Sequence, residues 1–261
     1  MLNQWQKLVM FFLKRKEINY MNAIDITKFK LKIFADGADI DSMLIMKQNK
    51  IIKGFTTNPT LMRKAGIKNY EKFAKDVLEF IPDLPISFEV FADEKDEIER
   101  QAIKISNWGK NVNVKIPITN TNGESLIPTI ERLSQKGIQL NITAILTKKQ
   151  VEETSKVLNP EIYSIISVFA GRIADTGIDP KLIMRSCKSI ISKKLTKTDL
   201  LWASPRQALN IIEAEEVGCD IITITQDLLN KASNFGKNLE KLSLETVNMF
   251  YKDALQAGYK L

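Results

Sequence analysis

Val112-Asn113-Val114-Lys115-Ile116-Pro117-Ile118-Thr119 is the stretch on which the reading of this 261-residue chain turns. It has the marks of a strand: β-branched residues recur at every second position, and Pro117 and Thr119 stand near its end. Strand side chains alternate. Val112, Val114, Ile116 and Ile118 therefore share one face, and Asn113, Lys115 and Thr119 the other. The plain reading of Lys115 is an edge strand with its ammonium in water. The sharper reading is a lysine aimed into a partly desolvated pocket, where the neutral, nucleophilic amine is favoured.

Outward from this strand the chain keeps a regular rhythm. Strands are expected at 31–36, 51–58, 85–92, 112–119, 139–145, 163–170, 199–204 and 220–225. Helices are expected between them: 39–47, a broken stretch from Pro59 to Phe80 interrupted near Gly66, 93–107 with Asp93 as N-cap, 123–135 stopped at Gly137, 148–158, 180–192, 205–216 and 226–232. A Gly/Asp-rich loop follows the sixth strand, and a last amphipathic helix is expected at 243–257. Eight strands alternating with helices indicate a parallel α/β architecture, and a closed (β/α)8 TIM barrel with a C-terminal extra helix is the economical form at this length. A doubly wound open sheet is the runner-up; no G-x-G-x-x-G or P-loop follows any strand to support it. The division expected is an N-terminal extension at 1–30, a barrel at 31–235 and a C-terminal helix at 236–261 that packs on the barrel or on a neighbouring subunit. Met21 offers an alternative start, which would make 1–20 an extension outside the native protein.

Composition narrows the chemistry. The chain has no histidine. That excludes Ser-His-Asp and Cys-His nucleophile pairs and histidine-bound metals, so proton transfer falls to carboxylates, lysine, tyrosine or water. Two cysteines, Cys187 and Cys219, provide neither a disulfide framework nor metal spacing, which points to a reducing cytoplasm. The short apolar run at 8–13 is followed, not preceded, by basic residues, the wrong polarity for a secretory signal, and no run is long enough to span a bilayer. The net charge of +7 is spread along the chain without aromatic interleaving. It argues for attraction of anionic substrates rather than for nucleic acid.

In a barrel, one parity of each strand faces the helices and the other the interior. Ile33, Ala35, Phe88, Val90, Val114, Ile116, Leu140, Ile142, Ile166 and Val168 form an apolar, helix-facing set. The opposite parity carries Asp36, Asn58, Glu89, Lys115, Asn141, Thr143 and Ser167, and strands seven and eight end with Ser204 and Thr225. Singly, each has a bland role: Asp36 as a helix cap, Asn58 in an Asx turn before Pro59, Glu89 in a salt bridge, the hydroxyls on backbone carbonyls. Together they are costly to bury unless they bond each other or a ligand. One lysine among carboxylates, amides and hydroxyls is the inventory of a Schiff-base enzyme acting on a carbonyl.

Seven motifs in order carry a resemblance: FADGAD at 34–39, GFTTNPTL at 54–61, FEVFAD at 88–93, VKIPIT at 114–119, LNITAI at 140–145, SVFAGRIADTG at 167–177 and WASPRQ at 202–207. From about Leu31 onward the chain resembles the transaldolase family, in the branch that includes fructose-6-phosphate aldolase. The resemblance implies that Lys115 is the Schiff-base lysine, Asp36 the acid and base at the cleaved bond, and Glu89 with Thr143 the holders of a proton-shuttling water. It implies substrate binding by Asn58, Asn141, Ser167 and Phe169, and phosphate binding by Arg172, helped by Arg206 and Ser204. Transfer of a dihydroxyacetone unit between sugar phosphates, as in the pentose phosphate pathway, needs no metal or organic cofactor. The resemblance also implies a homo-oligomer, with sugar phosphates as the partners. WASPRQ departs from the ASF pattern of better-known members. Fructose-6-phosphate aldolases tend to have glutamine where Glu89 stands and tyrosine where Phe169 stands; both positions here follow transaldolases.

Overall fold

The computed structural model describes residues 24–261. The alternative start at Met21 and the extension at 1–20 lie outside the described residues. The chain divides into two compact units, Phe29–Asn230 and one that includes Lys231–Leu261.

The first unit holds eight parallel strands in a closed barrel, each bonded to the next in sequence and the last to the first. They are β1 (Lys32–Asp36), β2 (Ile52–Thr56), β3 (Ile86–Glu89), β4 (Val112–Pro117), β5 (Leu140–Ile145), β6 (Ser164–Val168), β7 (Thr198–Trp202) and β8 (Ile221–Ile224). Between them run α1 (Ile40–Gln48), α2 (Pro59–Lys64), α3 (Tyr70–Phe80), α4 (Lys95–Ser106), α5 (Ile127–Gln135), α6 (Lys148–Val157), α7 (Ala170–Ala174), α8 (Pro180–Ser192) and α9 (Leu209–Glu216). Two more follow β8: α10 (Gln226–Ala232) and α11 (Leu239–Ala257). With no open edge, the edge-strand reading of Lys115 falls away; the residue is 8% exposed.

Alternation along the strands positions the site. The apolar parity from Ile33 to Val168 is buried, as is the interior cluster of Phe34, Ile165, Leu201, Ala203 and Ile221. This cluster plugs the barrel. Phe34 can take its place because residue 54 is glycine: a Cβ there would lie 2.6 Å from the ring's Cζ. Above the plug, toward the carboxyl ends of the strands, the same parity turns polar.

Several local expectations needed correction. Asp93 does not cap α4. The N-cap is Glu94, without a side-chain bond, and the Asp93 carboxylate instead accepts from Thr121 N (2.8 Å) and Oγ1 (2.6 Å), tying two loops together. The loop after β6 contains the short helix α7. The helix after β7 starts at Leu209, not Pro205, because the Asn210 side chain accepts from Arg206 N and Gln207 N and holds that stretch in a turn. The last helix starts earlier than expected, at Leu239, where Asn238 caps it by accepting from Lys241 N at 2.9 Å, and it ends at Gly258 in the left-handed region. Among the described residues no helix is long and apolar enough to cross a membrane.

Candidate active site

A cavity of about 380 Å³ opens at the carboxyl ends of the strands. It is lined by Asp36, Asn58, Glu89, Lys115, Asn141, Thr143, Ser167, Phe169, Arg172 and Ser204, with Thr56 and Thr223 among the others. The position is the one where a parallel barrel displays strand-end side chains together.

Lys115 and Glu89 face each other because β3 and β4 pair in parallel with these two residues in register. The ammonium Nζ lies 3.1 Å from Glu89 Oε2 and donates to the Thr57 carbonyl at 3.2 Å. Thr57 in turn donates from Oγ1 to the Ser87 carbonyl, fixing that acceptor. Tyr70, from α3, donates its hydroxyl to the Glu89 carbonyl at 2.8 Å and braces the same strand end from behind.

Asp36 ends β1. Its carboxylate accepts from Thr56 Oγ1 at 2.8 Å and, at the long limit, from Asn58 Nδ2 at 3.4 and 3.5 Å. Thr223 on β8 reaches the Thr56 hydroxyl and continues the chain. Burial raises the Asp36 carboxyl above its ordinary value, against the opposing pull of the Lys115 charge and the Thr56 and Asn58 bonds. A carboxyl balanced in this way suits proton exchange with a substrate hydroxyl. Asn58 performs two tasks with its two amide atoms. Its oxygen accepts from Leu61 N at 2.9 Å as the cap of α2, which starts with Pro59, and its nitrogen faces Asp36.

The third group runs across β3, β5 and β6. Asn141 donates from Nδ2 to Ser87 Oγ at 3.0 Å and accepts from Ser167 Oγ at 2.6 Å. All three are buried, so their orientation is set before any substrate arrives. The Thr143 hydroxyl is buried and lacks a protein partner. Beside it the chain bulges: Ala144 adopts φ +59°, and the β5–β6 register shifts between Ile142 and Ile145.

Arg172 projects from α7, its guanidinium carbon 5.3 Å from the centre of the Phe169 ring. α7 lies close under the β7–α9 loop, whose Ser204 has φ +56°. Arg206 does not line the cavity. Its guanidinium is bound to Asp175, with Nε 3.0 Å from Oδ2. Thr225 is exposed and lies outside the lining as well; Thr223, two residues earlier on the same parity, is the β8 residue that enters. Thr56, Ser87 and Thr223 join the site beyond the residues expected from sequence, and their parity with Asn58, Glu89 and Thr225 is the signal that marks them.

The barrel is shared widely. The crystal structure of 3-hexulose-6-phosphate synthase from Salmonella typhimurium superposes with a TM-score of 0.52 at 12% identity, over 79% of this chain and 96% of the other, which speaks for the fold alone. Sequence relationships reach further. "Probable transaldolase" of Thermoplasma volcanium is 32% identical over 215 residues, 82% of this chain and 92% of its own. "Probable transaldolase 2" of Listeria monocytogenes is 31% identical over 201 residues, 77% of this chain and 88% of its own. The sequence model of the transaldolase/fructose-6-phosphate aldolase family matches residues 33–261, a span that takes in every strand-end residue described above. On barrel, strand-end residues and sequence alike, the chain belongs to the transaldolase/fructose-6-phosphate aldolase family.

Proposed function

We propose that the protein is a transaldolase working through a Schiff base on Lys115. The observation that carries the reading is the Lys115 amine, buried in the barrel 3.1 Å from the Glu89 carboxylate and sharing one cavity with Asp36. The donor is a ketose phosphate such as sedoheptulose 7-phosphate, and the acceptor an aldose phosphate such as glyceraldehyde 3-phosphate.

In this mechanism the free amine of Lys115 attacks the ketone carbon, and water leaves to form the imine. Glu89 and the unpartnered Thr143 hydroxyl hold the water that carries protons in and out of this step. Asp36, as carboxylate, takes the proton from the hydroxyl on the far carbon of the bond to be broken, so that this carbon becomes the aldehyde of the departing aldose. That bond breaks, its electron pair moves into the imine as an enamine, and the first aldose departs. The enamine attacks the acceptor aldehyde, Asp36 returns the proton, and water releases the product. Asn141, Ser167 and Asn58 bind the hydroxyls of the three-carbon unit, which their fixed orientation favours. Arg172, beside Phe169 and Ser204, binds the phosphate through its donor fork. Arg206 is left to Asp175 in this reading. Sugar-phosphate substrates and two free, buried thiols suit the cytoplasm, and a homo-oligomer is part of the proposal through the resemblance of the last helix.

The test is borohydride reduction with a ketose phosphate, followed by peptide mass analysis. An adduct at Lys115 is expected; trapping at another lysine would sink the assignment. Running sedoheptulose 7-phosphate plus glyceraldehyde 3-phosphate beside fructose 6-phosphate alone separates transfer from cleavage. Free dihydroxyacetone formed without an acceptor would favour the fructose-6-phosphate aldolase reading, which Glu89 and Phe169 argue against. Turnover equal to that of a Lys115→Ala control would favour a sugar-phosphate-binding barrel without catalysis.

A further inference from the structure

The helical break near Gly66 has no part in the chemistry above, yet it builds a second cavity. α2 stops at Lys64, Gly66 turns the chain at φ +71°, and α3 starts at Tyr70. The loop thus formed closes one side of a space of about 440 Å³. Its apolar lining comes from Pro59, Met62, Ile67, Tyr70 and Phe91. Phe91 is 67% exposed although its ring meets Tyr70 edge-on at 5.5 Å between centres. Two cations, Arg63 and Lys68, also line the space, and neither forms an ion pair among the described residues. Gly66 and Glu89 complete the lining, and Glu89 also faces the Lys115 cavity.

We propose that this second cavity binds a small amphipathic anion, an apolar body carrying one carboxylate, and that its occupancy is felt at Glu89. Size and lining suit such a ligand, since small-molecule sites are mostly apolar with a few placed charges. Charge sets the orientation. The inner wall offers the carboxylate no partner, since Glu89 is itself anionic and already paired with Lys115, and Arg63 with Lys68 attracts it to the loop side. The apolar body then rests on Met62, Ile67, Tyr70 and Phe91 and covers the outer flank of Glu89. Two solvated surface cations would need no ligand; an apolar floor between them, with an exposed aromatic ring, is what such solvation does not account for.

Octanoate is the probe, titrated by calorimetry into the full-length protein, with octan-1-ol as the uncharged control. One saturable site with a Kd on the order of 1 mM is expected. The alcohol should bind at least roughly tenfold more weakly, and the double variant Arg63→Gln/Lys68→Gln should lose a similar factor, as two exposed ion pairs would supply. Arg172→Gln, in the polar cavity, should leave binding unchanged. No saturable heat, equal binding of the alcohol, full affinity in the double variant, or loss of binding in Arg172→Gln would each overturn the proposal. Thermal melts identify any variant that fails to fold; the single variants Arg63→Gln and Lys68→Gln then replace the double one. These arms do not use the transaldolase reading. A last arm rests on it: octanoate should lower kcat without raising KM for the ketose phosphate, and simple competition with that substrate would overturn the coupling to Glu89.

Discussion

Lys115 and Glu89 are cross-strand neighbours in register, and the closed barrel turns that register into an ion pair of 3.1 Å whose two members are mostly shielded from water. Neither can be removed without consequence for the other. An ammonium or a carboxylate left alone in such a place keeps its desolvation penalty and loses its compensation. The cavity above them admits solvent, which limits that penalty.

Lys115→Ala should therefore separate catalysis from folding. Activity is expected to fall roughly 10⁴-fold or more, as for loss of a covalent nucleophile, with no borohydride adduct formed. Stability should fall by about 1 kcal/mol, the stranded Glu89 charge being its source. Adding Glu89→Gln should return most of that loss while leaving activity absent. Urea unfolding of the single and double variants measures both effects; a double variant less stable than Lys115→Ala would contradict the pairing argument.

In the proposed mechanism Asp36 governs the pH dependence. Its carboxyl lies above the ordinary value of 3.8, chiefly through burial. If Asp36 is the base of the proposed cleavage, that step needs its carboxylate, so the acid limb of single-turnover cleavage should sit above 3.8 and rise with pH. Imine trapping should not share this limb, and Asp36→Asn should abolish cleavage while still allowing trapping. The sign for stability is opposite. A carboxyl harder to ionise in the folded state adds stability that is fully present below its unfolded value and is lost as pH rises through the folded one. An acid limb of cleavage at or below 3.8 would remove the assigned role.

The barrel and most of the site are legible in alternation alone. Lys115, Glu89, Asn141, Thr143 and Ser167 share one parity, and a parallel sheet that closes has only one inside. What stays hidden depends on the third dimension. Thr56 and Thr223 look like ordinary strand threonines until barrel closure brings β8 against β1 and β1 against β2, and their hydroxyls meet beside Asp36. Arg206 follows a strand end as a phosphate ligand should, but Asp175, 31 residues away, reaches it first. Thr225 has the right parity, but β8 ends at Ile224 and leaves it exposed. Asp93 resembles a cap in sequence because its competing partner, Thr121, lies on another loop.

Asn58 offers a test of divided labour. Asn58→Asp keeps the oxygen that caps α2 and even complements the helix dipole, but it sets a second carboxylate beside Asp36. Helix stability should hold, and the acid limb of cleavage should move to higher pH through like-charge repulsion. Asn58→Ala loses the cap and should cost about 1 kcal/mol. Equal destabilisation by both, read from chemical denaturation, would show that the oxygen does not act as the cap.

Gly171 is the position where one added methyl should reach the Arg172 end of the cavity. A Cβ there would lie 1.6 Å from the Ser204 carbonyl oxygen, and backbone on both sides leaves no flexible side chain to give way. The contact lies between two features of the site: α7, which carries Arg172, and Ser204, whose φ is +56°. Gly171→Ala must push α7 and the β7–α9 loop apart. Overpacking of this kind costs roughly 2–3 kcal/mol, and the same displacement draws Arg172 away from Phe169 and Ser204. The variant should melt earlier and show a KM raised by roughly tenfold for a phosphorylated ketose donor, against little change for the unphosphorylated ketose fructose as donor. If KM rises equally for both, the displacement reaches the Asn141–Ser167 end of the cavity, and Arg172 does not bind the phosphate as proposed.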